Sequence, residues 1–297
     1  MTPEAGAVTA ALLGAVAYGT GDFLGGRASL RLSTPMAVAI AQTVAVAAMV
    51  GAHAGAPIPG PEVVAAGTVA GLAYAIGIGL LYHGFAHGRI GVVAPLCGLF
   101  SILVPLAGDL WLGRSLGGWT HLGIALCALA VVYIAGSALT GESHRIDGRS
   151  AFLGIASGTG YGISDLVLGV RADADGDGTM LVTRIVAAAL GFALLALALR
   201  RNRLGGPGGT AAGRLVKTGL AAGGIAAAAA AGGFDLLGQI GYVTAASRGS
   251  MGVAAALVAL FPAVSVLLAV IFLRETVSRR QLVGFAVSAA GVVMVSI

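Results

Sequence analysis

Six side chains with polar chemistry stand in stretches otherwise built from Ala, Gly, Leu and Val: Asp22, Gln42, Asp165, Arg184, Asp235 and Gln239. In an apolar setting each is costly unless it meets a partner or faces a cavity, so each marks a candidate site. Asp235 stands near the centre of its apolar run, and Gln239 and Tyr242 follow at i+4 and i+7, on one helical face. That stripe would bind a substrate's polar group or a proton; the alternative is a packing contact with a neighbouring helix. Asp165 and Arg184 fall at similar depths on successive antiparallel segments, a placement that predicts an ion pair, because either charge alone would be stranded. The alternative puts Asp165 near the interface, with Arg184 snorkelling to water. Asp22 opposite Gln42 is the corresponding combination upstream, and Tyr18 and Tyr161 precede the two aspartates by one turn, to line a cavity or to pack.

Catalytic patterns are absent. The chain has no HExxH, GxSxG or P-loop sequence, so neither an enzyme nor a self-contained ATP-driven pump is indicated, and no catalytic residue, metal or cofactor is expected. Asp173-Ala-Asp175-Gly-Asp177-Gly178 copies the opening of a calcium loop, but its twelfth position is Arg184 where a bidentate Glu is required, which predicts a solvated turn. Cys97 and Cys127 lie in apolar runs without a CxxC partner and are expected to pack as small residues. His83 and His87 are expected at the interface, titration near neutral pH being the alternative.

The elements that must position these residues are membrane helices. Of 297 residues 58% are hydrophobic and 10% charged, and mean hydropathy is +0.96. No polar shell can be made from that composition, where ordinary globular chains carry about 25% charge. The net charge of +5 resides in short loops, so it reports topology, and no nucleic-acid partner is expected. With about 20 apolar residues per span, helices are predicted at 6–26, 34–53, 62–84, 91–112, 118–138, 151–170, 179–199, 219–245, 251–273 and 280–297. The N-terminus lacks a basic n-region, so the first run is expected to be a span and not a cleaved signal. Pro95, Pro105 and Pro262 interrupt the fourth and ninth runs.

The chain also repeats itself. Gly71–Ile134 laid on Gly232–Val295, at a constant offset of 161 residues, gives 16 identities in 64 positions. Roughly one in ten would match by chance in so biased a composition. YGTGDFLGG at 18–26 answers YGISDLVLG at 161–169, and Tyr74 is the counterpart of Asp235. Ten spans divided by this duplication give five per copy, with boundaries at 1–140 and 141–297. An odd number forces the second copy to enter from the opposite side. The expected fold is therefore an all-α integral membrane protein of ten transmembrane helices in two five-helix inverted repeats. That architecture is typical of secondary transporters, with the site near the midplane between repeats.

At this point the residues resemble a family. Tyr18-Gly19 and Tyr161-Gly162, the segments GVVAPLCGLFSILVPL and GVAAALVALFPAVSVLLAVIFLRE, and Gly123 and Gly284 in the fifth helices are similar to the drug/metabolite transporters of the EamA type. The resemblance spans both halves. It implies a multi-pass protein of the cytoplasmic membrane that moves a small organic molecule by alternating access, coupled to protons or driven by exchange. An uncoupled facilitator, a membrane-embedded enzyme and a non-transporting scaffold are the alternatives. The family's Glu at the end of the fourth helix is matched by Glu275 but replaced by Arg114 in the first copy. The partners expected are the small-molecule substrate and the lipid bilayer, the protein being a monomer or weak homodimer. Orientation divides the two lines of reasoning. Alternate loops collect 13 Lys and Arg on one side and three on the other, which puts both termini outside; the resemblance implies both inside.

Overall fold

The computed structural model describes residues 3–88, 90–113, 117–139, 148–204, 220–249 and 251–273, together with 283, 284, 286, 287, 290, 291 and 294. Among these residues the regular structure is helical. The elements are α1 (Pro3–Arg31), α2 (Thr34–Ala52), α3 (Pro61–His87), α4 (Ile90–Trp111), α5 (Gly118–Leu139), α6 (Gly148–Leu204), α7 (Leu220–Ala246), α8 (Met251–Val258) and α9 (Phe261–Leu273). Among the described residues six helical stretches are long and apolar enough to cross a membrane, the last of them Met251–Phe272, which joins α8 to α9. The expected tenth span, the Arg114 and Glu275 positions and the 205–219 linker lie largely or wholly outside the described residues.

Two expected boundaries are corrected. The loop placed at 171–178 contracts to a kink within α6, where only Asp175 leaves helical geometry, at φ −161° and ψ 56°. The 57 residues of α6 would extend about 86 Å if straight, nearly three times a hydrocarbon core of about 30 Å. Instead, α6 doubles back. Gly77 of α3 lies against Ser157 and Tyr161 of its first arm, while Gly71 lies against Thr183 and Val186 of its second. Tyr161 and Thr183 would stand about 33 Å apart on one straight helix, yet their contacts on α3 are only about 9 Å apart. Asp175 makes so short a corner possible by capping the second arm: its Oδ1 accepts the Gly178 N–H at 3.1 Å, and its carbonyl accepts the Thr179 hydroxyl at 2.7 Å. The residues that copied a calcium loop are thus a helix cap, not a loop.

The ninth run is divided as well, into α8 and α9, by a turn at Ala259–Leu260. Pro262 is the second residue of α9, where its missing N–H costs no intrahelical bond. By contrast α4 runs through both Pro95 and Pro105.

Small residues bring these helices together, as lipid supplies no hydrophobic drive for helix association. Gly19 of α1 sits on the Phe261 carbonyl and Val264, and Gly162 of α6 on the Phe100 carbonyl and Val104. Gly71 meets the second arm of α6, and Gly232 of α7 meets the Ala41 backbone of α2. In both cases the two members of a pair occupy corresponding positions of the duplicated sequence, and each contacts the other copy. The polarity is inverted relative to a water-soluble domain. Val16, Ile76, Leu237 and Phe272 are 53–69% exposed, whereas Gln42, Arg184, Asp235 and Gln239 are wholly buried. Such an apolar exterior is the surface that lipid covers.

A Cβ at Gly232 would overlap the Ala41 carbonyl, a backbone group that cannot turn aside. Gly232→Ala is therefore expected to separate α7 from α2 and destabilise the protein by about 1–3 kcal/mol. Thermal melting in detergent measures this, with Gly233→Ala, where no atom lies within 4 Å, as the neutral comparison.

Candidate functional site

Four elements meet at Arg184. Its position on the second arm of α6 faces Gln42 on α2, Tyr74 on α3, and Asp235 and Gln239, one turn apart, on α7. The guanidinium forms an ion pair with Asp235 through Nη1 and Oδ2. Nε donates to Gln239 Oε1 at 2.8 Å, and Nη1 also lies 3.2 Å from Gln42 Oε1 and 2.9 Å from the Tyr74 hydroxyl. Nη2 reaches the Asp235 carbonyl at 3.3 Å. Tyr74 in turn donates its hydroxyl to Asp235 Oδ2, and the guanidinium carbon stands 4.5 Å from the centre of the Tyr74 ring. A planar fork of donors suits this convergence of oxygens in a way an ammonium would not.

The pairing differs from the sequence expectation. Arg184 joins Asp235, not Asp165, and Gln42 turns to Arg184 while Asp22 accepts from the Tyr161 hydroxyl at 3.3 Å. Similar depth on successive helices does not choose a partner; the partner is decided by which faces of the hairpin are turned together. The two arms of α6 turn Asp165 and Arg184 to different neighbours.

The centre is not saturated. Asp235 Oδ1, Gln42 Nε2 and Gln239 Nε2 are buried without a hydrogen-bond partner. One acceptor and two amide donors therefore surround a charge-neutral pair. Unpaired buried polar atoms are costly and rare, and here three belong to side chains that bond Arg184.

A second polar group lies alongside. Tyr18, Asp22 and Ser101, with Tyr161, Asp165 and Phe261, border a small cavity between α1, α4, α6 and α9. About 10 Å³ is open to the centre of a water molecule, space for roughly one water. The Tyr161 ring links the two polar groups, edge-on to Tyr18 at 6.2 Å and to Tyr74 at 5.4 Å. Of the residues singled out from the sequence, Gln42, Tyr74, Arg184, Asp235 and Gln239 thus form one cluster and Tyr18, Asp22, Tyr161 and Asp165 the other. The Tyr242 hydroxyl donates to the Asp165 carbonyl at 2.6 Å.

Asp109 was not foreseen. It is fully buried at the end of α4, where Oδ2 accepts the Gly252 N–H in the first turn of α8. An acid closing an apolar run was the available signal, but only the fold brings a helix start to it. His83 is half-buried against Arg149, with 2.9 Å between His83 Nε2 and Arg149 Nη2, and stacks on His87 at 4.5 Å. Cys97 is buried in α4, its backbone against Gly158, consistent with a packing role; the Cys127 side chain lies outside the described residues.

The model of the EamA-like transporter family matches residues 148–297. No curated protein matches the chain. Among solved structures 21 chains match. One is a crystal structure of a protein with a TM-score of 0.69 and 15% identity, covering 96% of this chain and 96% of its own. Likeness at that identity concerns the fold alone.

Proposed function

The chain belongs to the EamA-like transporter family, and from that premise we propose that it is a secondary transporter of a small organic metabolite across the cytoplasmic membrane, working by alternating access between two inverted five-helix repeats, residues 1–140 and 141–297. The observation that carries the reading is the Arg184–Asp235 pair, buried at a point where elements of both copies converge. Its ligands are related across the two segments: Tyr74 matches Asp235 at the 161-residue offset, and Gln42 and Arg184 each follow the residue that meets the other segment's glycine, Ala41 against Gly232 and Thr183 against Gly71. The exchanged glycine contacts support the same arrangement, since each copy's third helix lies on an arm of the other copy.

A shared ionic centre gives the two halves something to exchange during rocking. The unsaturated Asp235 Oδ1, Gln42 Nε2 and Gln239 Nε2 offer a substrate both donors and an acceptor. Ionic contacts within a membrane are commonly retained for such pathways. Asp22, Asp165 and Asp235 are the candidates to carry a coupling proton. An uncoupled facilitator is the nearest alternative.

Purified protein in vesicles tests the proposal. Saturable uptake or exchange of a metabolite found by a growth or efflux screen is expected; its absence across the screened compounds would favour an enzyme or a scaffold. Orientation is checked separately with reporters. By the loop charges, a reporter inserted after Arg203 should be active on the cytoplasmic side and one after Ile297 outside. The reverse pattern would mean that the orientation implied by the family prevails over the charge count.

A further inference from the structure

Five acidic and basic side chains are buried among the described residues: Asp22, Asp109, Asp165, Arg184 and Asp235. Arg184 is committed to Asp235, and Asp109 caps α8. Asp22 and Asp165 remain. Both are at least 95% buried and both border the small cavity lined by α1, α4, α6, α8 and α9. Asp22 has the Tyr161 hydroxyl, but Asp165 Oδ1 has no hydrogen-bond partner, and neither has the hydroxyl of Tyr18, itself 4% exposed. Two carboxyl groups and an idle hydroxyl therefore surround one space from which no cation is supplied by the described part of the chain.

The groups facing this space are few. From α1 come Tyr18 and Asp22, from α4 Ser101, from α6 Tyr161 and Asp165, from α8 the apolar Ala255 and Val258, and from α9 Phe261. Ser101 already donates to the Gly98 carbonyl at 2.9 Å. Arg184 and Asp235 of the neighbouring cluster are paired with each other, and the Tyr74 ring of that cluster packs edge-on against Tyr161. The surplus is negative, and three of the walls are aromatic.

The geometry points to a binding site for the ammonium group of an organic amine between Asp22 and Asp165. The inference rests on the reading of the chain as a transporter and names the substrate class for it. An ammonium in water's place would meet both carboxylates and the Tyr18 oxygen, while carbon next to it would lie on the rings of Tyr18, Tyr161 and Phe261, the arrangement that favours cations over neutral molecules. A hard metal ion is a poorer match, because it requires about six oxygen ligands and much of this wall is carbon. The cavity as it stands admits the head group only. Room for a hydrocarbon tail can open at the Ala259–Leu260 turn, since that break in the helix separates Val258 from Phe261, both of which border the space.

Binding of radiolabelled phenethylamine to the purified full-length protein in detergent tests the site without relying on transport. Saturable binding is expected, displaced by other primary amines but not by 2-phenylethanol or by sodium chloride. Asp165→Asn should weaken it by at least about tenfold, and because Asp165 Oδ1 has no hydrogen-bond partner to lose, that variant should melt close to the wild type. Asp165→Glu should retain binding, and Asp22→Asn should reproduce the loss. Absence of saturable binding, equal displacement by the neutral alcohol or by sodium, or unchanged affinity in both Asn variants would overturn the inference. Uptake of a non-amine in vesicles without amine binding would remove this site and leave the transporter reading. Amine binding without flux of any compound would do the opposite.

Discussion

Arg184→Ala is expected to cost roughly 3–5 kcal/mol, the largest stability loss of any single substitution in the polar core. Truncation removes the cation paired with Asp235, the only one beside it among the described residues, and leaves its carboxylate wholly buried. It also takes the donor from Gln42 Oε1 and Gln239 Oε1, two further buried acceptors. The yield of monodisperse protein in detergent and its melting temperature should both fall. The discriminating result lies in the second substitution. Adding Asp235→Asn to Arg184→Ala removes the stranded charge and should recover much of the loss, whereas adding Asp165→Asn should recover none. Rescue by Asp165→Asn instead would restore the pairing expected from depth along the helices and contradict the observed one.

Neutralising both partners separates stability from function. Arg184→Gln with Asp235→Asn keeps both side chains polar, Asn matching Asp in size and Gln being shorter than Arg, and leaves no unpaired charge, so folded protein should be obtained in far better yield than for Arg184→Ala. Uptake in vesicles is nevertheless expected to fall by about a hundredfold, the equivalent of roughly 3 kcal/mol of lost interaction with substrate or coupling ion. Wild-type uptake by this variant would reduce the pair to a structural pin between α6 and α7. The measurement is informative only with melting curves beside it, because the single variants Arg184→Ala and Asp235→Asn each leave an orphan charge.

Several features of the site were legible because membrane chemistry is severe. Among residues surrounded by Ala, Gly and Leu, a charge or amide is conspicuous, and Asp22, Gln42, Asp165, Arg184, Asp235 and Gln239 are all buried in the fold. The i+4 spacing of Asp235 and Gln239 put them on one face, and both bond Arg184. Tyr242, at i+7, was assigned to the same stripe. Its longer side chain instead reaches the Asp165 carbonyl on α6, and periodicity carries no information about that length or direction. Asp175 illustrates the converse. Its sequence pattern suggested a loop, but an Asp with Gly three residues later serves equally as an N-cap, so two arms of α6 could follow each other with one residue between them.

By itself the sequence determined the solvent, the helical class and the set of polar residues that could not be left in lipid. These follow from composition and from periodicity along the chain, both of which are local. Which polar residues meet was decided by the tertiary structure alone. A sequence specifies how far along a helix a side chain lies, but not which neighbour its face is turned toward, and here close approaches at glycine set those faces. Gly71 against Thr183 and Gly232 against Ala41 bring α2, α3, α6 and α7 near enough for Gln42, Tyr74 and Asp235 to close around Arg184. Asp165, one arm away on the same hairpin, is turned to the cavity beside α1.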